Sequence, residues 1–354
     1  MERLVITMPI APYKKFSLGK MSTPILAKSL ATKLNAKYIL AVNTLDSYKE
    51  RELDDYVNLL KRYNISPDEF WIDSNNINAL LDKINYLIDN NYIYSDKRNI
   101  MSCDCKKVEI PVDNIKTINM ADSCFYEKEN HYYCKHCHSL CKITEKDCLI
   151  FNPKMIKDLD LIFYPEFINK DIKTFYNTIM NNDIIISRER KTGICLTYQN
   201  KNYNIDIDFL WEVYLSLFPN RDKIVICSNH QLYQLFMVSM LEKCFPNKGK
   251  TISLATPYLN ISSKDKENEL QDRILSTRIF SILNQKWAKK DNILDEGLLS
   301  YINNMNVTKK EMLYNILMEQ NITIDILEDL KKTLIKDFNL QNANKELKRR
   351  RKNV

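Results

Sequence analysis

The stretch that decides the fold is Ala11-Pro-Tyr-Lys-Lys-Phe-Ser-Leu-Gly-Lys-Met-Ser-Thr-Pro24. It follows the apolar run Leu4-Val-Ile-Thr-Met8, which predicts a short buried strand. Thr23-Pro24 is a helix-start signal, so we expect a helix from there to about Leu34. Gly19, one of four glycines, is expected in the turn, where the backbone needs an unusual φ or room for a ligand. The pattern favours an anion site at a helix N-terminus, and its alternative is an ordinary strand-to-helix connection.

Strands and helices alternate on both sides of this stretch. Apolar and amphipathic runs predict strands at 37–42, 70–72, 223–227 and 251–254, and helices at 50–63 and 76–88. A further helix is expected through Leu235, Val238 and Leu241. Such alternation indicates a parallel sheet built from βαβ units. Ligands of these sheets bind beyond the carboxyl ends of the strands, and Ser17–Lys20 and Ser228–His230 both follow predicted strands.

The order of these segments resembles class I aminoacyl-tRNA synthetases, and the glutamyl/glutaminyl branch most closely. Ser17-Leu-Gly-Lys20 stands in place of the family's His-Ile-Gly-His loop, and Ile261-Ser-Ser-Lys-Asp265 in place of its Lys-Met-Ser-Lys-Ser loop. Ser228-Asn-His230 matches the short Gly-x-Asp-His element before a helix. Each motif is degenerate, and the resemblance, over residues 3 to 290, depends on their order and spacing. It implies an α/β fold with a Rossmann-like class I synthetase catalytic core, a zinc-binding insertion and a helical C-terminal region.

The resemblance divides the chain into four parts. Residues 1–100 form the first half of the nucleotide-binding core, 101–200 the zinc-bearing connective insertion, and 201–265 the second half with the Lys264 loop. Residues 266–354 form the helical region, which ends in the basic tail 348–352. Within the insertion, the apolar runs 183–187 and 195–198 predict a hairpin.

Composition limits the class of protein. With 45% hydrophobic and 27% charged residues, the chain has an ordinary globular composition. No apolar run approaches the ~20 residues that span a bilayer, and no secretory signal precedes the first strand. We therefore expect a cytoplasmic protein with no membrane partner, and a monomer. The net charge of +7 favours anionic partners such as nucleic acid, although solvated lysine-rich faces are the commoner cause.

The cysteines carry the most specific chemical signal. Ten cysteines without an export signal indicate free thiols or metal binding. Cys103-Asp-Cys105 and Cys134-Lys-His-Cys137 are two short-spaced pairs, which suit a closed tetrahedral zinc site. The alternatives are buried free cysteines, or Cys141 as a substitute fourth ligand. The resembled branch also carries a zinc knuckle that opens with Cys-x-Cys at this point.

The resemblance assigns a nucleotide site for ATP with Mg²⁺. Lys264 corresponds to the second lysine of the mobile loop and Ser263 to the serine before it, while Lys20 and Ser17 replace the two histidines of the first loop. These four are the expected catalytic residues. The expected cofactor-binding residues are Gly19, His230, Asn229 and Ser262.

The amino-acid pocket departs from the glutamate-specific branch. Enzymes of that branch bind the substrate's side-chain carboxylate with arginine, and the segment Thr7–Pro12 contains no arginine. The expected substrate-binding residues are Tyr13, Asn43 and Asp46, with Asp46 holding the α-amino group or, alternatively, capping a helix.

The expected function is that of an ATP-dependent ligase. It would form an aminoacyl adenylate and transfer the amino acid to tRNA or another acceptor. The expected tRNA contacts are the insertion around Arg188, Arg190 and Lys191, the helices after Lys264, and the basic tail. The alternative is a catalytically inactive synthetase paralogue that binds RNA or protein.

Overall fold

A computed structural model describes residues 3–13, 18–46, 52–62, 65–112, 124–157, 159–164, 168–189, 193–228 and 231–256. The predicted helical C-terminal region and the Lys264 loop lie outside these residues. No helix within the described ranges is both long enough and apolar enough to cross a bilayer.

Six α-helices and fourteen strands make up the described regular structure, together with short 3-10 turns. The helices are α1 (Leu18–Leu34), α2 (Leu53–Arg62), α3 (Ile77–Asp89), α4 (Asn169–Ile179), α5 (Ile207–Glu212) and α6 (Leu232–Leu241). The strands are β1 (Leu4–Thr7), β2 (Lys37–Val42), β3 (Glu69–Ile72), β4 (Ile93–Ser102), β5 (Glu109–Pro111), β6 (Phe125–Lys128), β7 (His131–Cys134), β8 (Lys142–Phe151), β9 (Ile162–Tyr164), β10 (Ile184–Ile185), β11 (Ile194–Tyr198), β12 (Lys201–Ile205), β13 (Lys223–Ser228) and β14 (Thr251–Thr256).

The core is a six-stranded sheet with the order β3-β2-β1-β13-β14-β9. Every neighbouring pair is parallel, and Leu4 in the centre is in register with Lys37 on one side and Lys223 on the other. β1, β2, β13 and β14 are almost wholly buried, as expected when helices cover both faces of a parallel sheet. The predicted parallel α/β core is confirmed.

The sheet reverses its strand order between β1 and β13. β1 is followed by α1 and then by β2 on one side, whereas β13 is followed by α6 and then by β14 on the other side. Right-handed crossovers in opposite directions place α1 and α6 on opposite faces of the sheet. The carboxyl ends of β1 and β13 therefore border the crevice in which sheets of this type bind ligands.

The start of α1 differs from its prediction. α1 begins at Leu18, so Pro24 lies inside the helix and Thr23 does not cap it. Thr23 is buried, and its hydroxyl lies 3.5 Å from the hydroxyl of Thr256 at the end of β14. Tertiary packing of this part of the helix against the sheet outweighs the local start signal. Gly19 consequently occupies the first helical turn, where the backbone makes no use of its conformational freedom.

A second sheet extends away from the core. Its antiparallel order is β10-β8-β4-β5, and β4 pairs with β8 over ten residues, from Ile93 with Phe151 to Ser102 with Lys142. Ile93 and Phe151 belong to the main hydrophobic core, whereas Ser102 and Lys142 lie at the other end, about 30 Å away at the rise of an extended strand. β9 follows this ribbon in the chain and forms an edge of the parallel sheet, so part of the predicted insertion 101–200 belongs to the core sheet.

The predicted hairpin between 183–187 and 195–198 is wrong. β10 pairs with β8, and β11 pairs with β12 instead. Gln199 and Asn200, between β11 and β12, both have left-handed φ angles of 50° and 61°. These angles form a two-residue hairpin turn whose twist matches the strands, and this turn determines the pairing.

A buried ion pair lies at the amino-terminal edge of the parallel sheet. Lys223, at the start of β13, is 1% exposed and pairs with Glu242 just after α6. Its ammonium also donates to the carbonyl oxygen of Phe218 at 2.9 Å. Glu242 accepts further hydrogen bonds from Asn247 and from Thr251 at the start of β14. The pair therefore joins the starts of two neighbouring core strands at the edge opposite the crevice.

Candidate functional site at the carboxyl edge of the sheet, and a candidate metal centre

The turn after β2 carries two of the predicted substrate-binding residues. Asn43 is buried, and its side-chain oxygen accepts a hydrogen bond at 3.2 Å from the backbone N–H of Asp46, which is exposed. The Asn43 N–H donates to the carbonyl of Ile10 at 2.9 Å, so the segment after β1 lies beside this turn. Asn43 and Asp46 are thus held together at the carboxyl end of β2.

Asp73, directly after β3, holds the turn after β2 by accepting hydrogen bonds from it. It is fully buried, and Oδ1 accepts from the backbone N–H and the hydroxyl of Thr44 at 2.8 and 2.7 Å. Oδ2 accepts from the indole N–H of Trp211 at 2.8 Å and from the N–H of Leu45 at 3.3 Å. Its own neighbour Ser74 donates a backbone N–H to Oδ1 at 2.8 Å. Asp73 is therefore a fully bonded carboxylate that joins the ends of β2, β3 and α5.

Tyr13, the third predicted substrate-binding residue, is buried. Its ring lies 4.8 Å from that of Tyr56 on α2, and burial together with Tyr56 raises the pKa of its hydroxyl. Tyr38 on β2 is buried as well, its hydroxyl donates to the carbonyl oxygen of Pro24 in α1 at 3.3 Å, and burial raises the pKa of this hydroxyl. Tyr13 follows β1, so it lies at the same edge of the sheet as Asn43.

The other predicted nucleotide-site residues lie either at the start of α1 or outside the described residues. Gly19 and Lys20 lie in the first turn of α1, and the description of Lys20 is limited to its backbone. Ser17, Asn229, His230, Ser262, Ser263 and Lys264 lie outside the described residues. The described neighbours of these positions are Ser228, which ends β13, and Thr256, which ends β14.

The four predicted zinc cysteines come together at the tip of the β4–β8 ribbon. The Sγ atoms of Cys103, Cys105, Cys134 and Cys137 all lie within 4.8 Å of one another. Cys103 and Cys105 are 3.4 Å apart, and Cys105 and Cys134 are 3.6 Å apart. Tetrahedral zinc with bonds of about 2.3 Å separates its sulfur ligands by about 3.8 Å. The spacing therefore fits a four-thiolate zinc site with no open position.

Backbone groups around the sulfurs also fit a bound metal. The N–H of Val108 donates to Cys103 Sγ, and the N–H of His136 donates to Cys134 Sγ, each at 3.3 Å. Hydrogen bonds from Ser139 lower the pKa of Cys137 to about 6, which favours the metal-binding thiolate. Phe125 and Val108 pack with Cys103 and Cys134 in a small separate core. Cys141 lies nearby but belongs to no described metal-binding group.

Charged side chains connect the cysteine knuckle (Cys103–Cys105 and Cys134–Cys137) to the chain after β10. Lys106 pairs with Glu189 at 2.6 Å, and Lys146 pairs with the same carboxylate at 3.0 Å. Arg188, directly before Glu189 in the chain, pairs at 2.5 Å with Asp206, which is 6% exposed. Arg188, an expected tRNA contact, has a side chain that is 29% exposed as well as ion-paired, and its contact with tRNA stays a prediction. Arg190 and Lys191 lie outside the described residues.

Sequence reasoning missed three residues at the carboxyl edge. Asp73 carried a usable signal, because an acid directly after a predicted strand lies at the ligand-binding edge of a parallel sheet. Trp211 and Glu212 carried none, since they lie in a short helix that follows the misassigned hairpin.

Comparisons with known proteins identify the fold. No protein-family model matches the sequence, and no curated protein matches it. Among solved structures, Mycobacterium tuberculosis methionyl-tRNA synthetase in complex with methionyl-adenylate superposes with a TM-score of 0.67 at 12% identity, covering 97% of this chain and 81% of that one. A second methionyl-adenylate complex gives 0.64 at 13% identity (90% and 71%), and the apo form 0.62 at 12% (98% and 78%). The chain therefore has the fold of a class I aminoacyl-tRNA synthetase.

Proposed function

We propose that the protein is an ATP-dependent ligase that forms an aminoacyl adenylate and transfers the amino acid to tRNA or another acceptor. The observation that carries this proposal is the match over nearly the whole chain to synthetases, two of which were solved with methionyl-adenylate. The parallel sheet supplies the crevice in which such an adenylate would form. The resemblance to the glutamyl/glutaminyl branch is supported by sequence alone, since the structural neighbours named above are methionyl enzymes.

The nucleotide site would use charge and hydrogen-bond donors. When a carboxylate attacks the α-phosphate of ATP and pyrophosphate leaves, negative charge spreads over the phosphate oxygens. We propose that Lys264 and Lys20 neutralise this negative charge, and that the hydroxyls of Ser263 and Ser17 donate hydrogen bonds to the phosphate oxygens. Gly19, Asn229, His230 and Ser262 would hold the nucleotide, and Mg²⁺ would accompany the phosphates.

The substrate would bind at the turn after β2. Asp46 is exposed there, and the hydrogen bond from its N–H to Asn43 fixes the turn, so its carboxylate is placed to receive an α-ammonium group. Tyr13 would form part of the pocket wall, since it is buried beside the same turn. The zinc would be structural and would hold the knuckle at the tip of the ribbon, with no part in the chemistry.

Exchange of labelled pyrophosphate into ATP tests the proposal. The purified chain is offered a broad panel of amino acids, standard and non-standard, with and without tRNA. We expect amino-acid-dependent exchange, and Lys264→Ala should reduce it at least tenfold with little change in thermal stability. Lys266→Ala, a charge change two residues away, is the matched control. Absence of exchange with every member of the panel would overturn the proposal.

An inactive paralogue that binds RNA is the second candidate. The feature that favours it is Ser17, since a hydroxyl does not stabilise phosphate charge as an imidazolium does. Under this alternative, exchange would be absent while tRNA still binds with a steep salt dependence. Deleting residues 346–354, which contain the basic tail, should weaken that binding several-fold. In either case we propose a cytoplasmic monomer with the four-part organisation given above, except that β9, within 101–200, belongs to the core sheet.

A further inference from the structure

Glu212 is a buried carboxyl without a hydrogen-bond or ion-pair partner among the described residues. It ends α5 and is 5% exposed, yet it makes no hydrogen bond and no ion pair within the described residues. Buried carboxyls are normally paired, because transfer of a charge out of water is costly. Burial, followed by the charges of Asp208 and Asp206, raises its pKa well above the ordinary value. An isolated acid at this place needs a physical explanation.

The groups around Glu212 are acidic or aromatic. Asp208 lies one helical turn earlier on the same face of α5, and Asp206 precedes the helix. Arg188 is the cation that acts on Glu212, but its guanidinium already pairs with Asp206 at 2.5 Å. From α6, Tyr233 lies near Glu212, since burial raises the pKa of the Tyr233 hydroxyl and the charge of Glu212 raises it further. The Tyr233 ring is 38% exposed and meets Phe175 edge-on at 5.8 Å.

This cluster lies at the ligand-binding edge of the sheet. Trp211, the residue before Glu212, bonds to Asp73 at the end of β3. Tyr233 is in the first turn of α6, five residues after the end of β13. Tyr214, two residues after Glu212, donates its hydroxyl to the carbonyl of Thr7 at the end of β1 at 3.0 Å. The segment that carries Glu212 is therefore connected to the carboxyl ends of β1 and β3, and Tyr233 lies just after the carboxyl end of β13.

We propose that Glu212 is a specificity-determining residue that receives the cationic side chain of a basic amino acid. An ammonium or guanidinium group would supply the missing ion-pair partner and the missing hydrogen-bond donors together. The adjacent Tyr233 ring adds the aromatic surface on which organic cations bind favourably. This inference rests on the adenylate-forming function proposed above, and it names the substrate class of that site.

A divalent metal ion fits the cluster less well. Mg²⁺ and Ca²⁺ require six or more oxygen ligands and retain water, whereas the described acids around this position are Glu212, Asp208 and the ion-paired Asp206, too few to complete such a shell. The ion pair between Arg188 and Asp206 also occupies one of the two neighbouring acids. The described contacts therefore favour an organic cation over a metal.

Calorimetric titration of the full chain tests the inference directly. L-Lysine and L-arginine are compared with L-norleucine and L-citrulline, neutral analogues of nearly the same shape, with and without ATP and Mg²⁺. We expect at least one cationic amino acid to bind tenfold or more tightly than its neutral analogue. Titration in two buffers of different ionisation enthalpy should reveal release of up to one proton, because the bound cation ionises Glu212. Proton release should not accompany binding of the neutral analogues.

Variants separate recognition from a merely structural role. Glu212→Gln keeps the shape of the side chain but should lose the preference for the cation and the proton release. Glu145→Gln, an exposed acid on the β4–β8 ribbon, should change neither. Equal affinities for cationic and neutral ligands in the wild-type chain would overturn the inference, and this measurement does not depend on whether Glu212→Gln folds.

The outcome is also distinguishable from failure of the proposed function. Pyrophosphate exchange with only neutral or acidic amino acids, without cation binding, would reject this inference and leave the ligase proposal standing. Cation binding with proton release but no exchange would reject the ligase proposal and retain Glu212 as the recognition residue.

Discussion

The indole N–H of Trp211 donates to the Asp73 carboxylate at 2.8 Å, across a sequence separation of 138 residues. This bond joins the helix that carries Glu212 to the end of β3, and Asp73 in turn holds the turn that carries Asn43 and Asp46. The two halves of the candidate amino-acid site are therefore positioned by one buried carboxylate.

Removal of the Asp73 carboxylate should destabilise the whole core. Asp73→Ala leaves several buried donors without an acceptor, so we expect the free energy of unfolding to fall by about 3 kcal/mol or more in urea titrations. Asp73→Asn retains one acceptor oxygen and should cost less. Thr32→Ala, on the exposed part of α1, is a surface control expected to change stability by under about 0.5 kcal/mol. Wild-type stability in Asp73→Ala would contradict this account.

Loss of the metal centre should remain local. Cys105→Ser should lose about one zinc per chain by elemental analysis, while Cys195→Ser, an exposed cysteine on β11, should keep it. Because the knuckle has a core of its own at the ribbon tip, hydrogen exchange should accelerate at 103–111 and 124–141 and stay unchanged in β1 and α3. Retention of metal in Cys105→Ser would show that this cysteine is not a ligand.

Glu212 should make stability fall as the pH rises. Its pKa is raised in the folded protein, so above the ordinary value of 4.5 the folded state keeps a proton that the unfolded chain releases. Stability is then lost progressively from about pH 4.5 upward, until Glu212 also ionises in the folded state. Glu212→Gln does not titrate, so its melting temperature should exceed that of the wild type at pH 8 by more than at pH 5. If the melting temperature of Glu212→Gln exceeded that of the wild type by the same amount at both pH values, the raised pKa of Glu212 would be contradicted.

The pair between Lys223 and Glu242 should show strong coupling. Lys223→Met leaves Glu242 buried without its cation, and we expect a loss of about 3–5 kcal/mol. Glu242→Gln should also destabilise, whereas the double variant should lose clearly less than the sum of the two single variants. Urea unfolding of the four proteins completes this cycle. Additive losses would mean that the two side chains act independently.

Local sequence patterns predicted the strands of the core better than the helix ends and the connections. The run Lys37–Val42 is apolar and β-branched, and β2 has the same bounds. Thr23-Pro24 is an equally strong local signal, yet these residues lie inside α1, where Thr23 contacts Thr256 far along the chain. Helix ends depend on such tertiary contacts, which no local pattern contains.

The candidate site was predictable where its chemistry is local. Cys103, Cys105, Cys134 and Cys137 form spaced pairs that are visible in the chain, and their sulfurs lie together. Asp73 and Trp211 have no such spacing, since β3 and α5 meet only through the fold. Glu212 could not be identified from sequence, because its character comes from burial without a partner.

The central position of β1 has a consequence for biosynthesis. Leu4 pairs with Lys223, so one side of the first strand made has no partner until β13 has been synthesised. At translation rates of ~5–20 residues per second, this interval lasts roughly 10–40 s. During that time β1, β2 and β3 form at most a partial sheet, in which β1 presents an unpaired edge that is apolar apart from Thr7. The nascent chain should therefore require chaperone protection until β13 emerges from the ribosome.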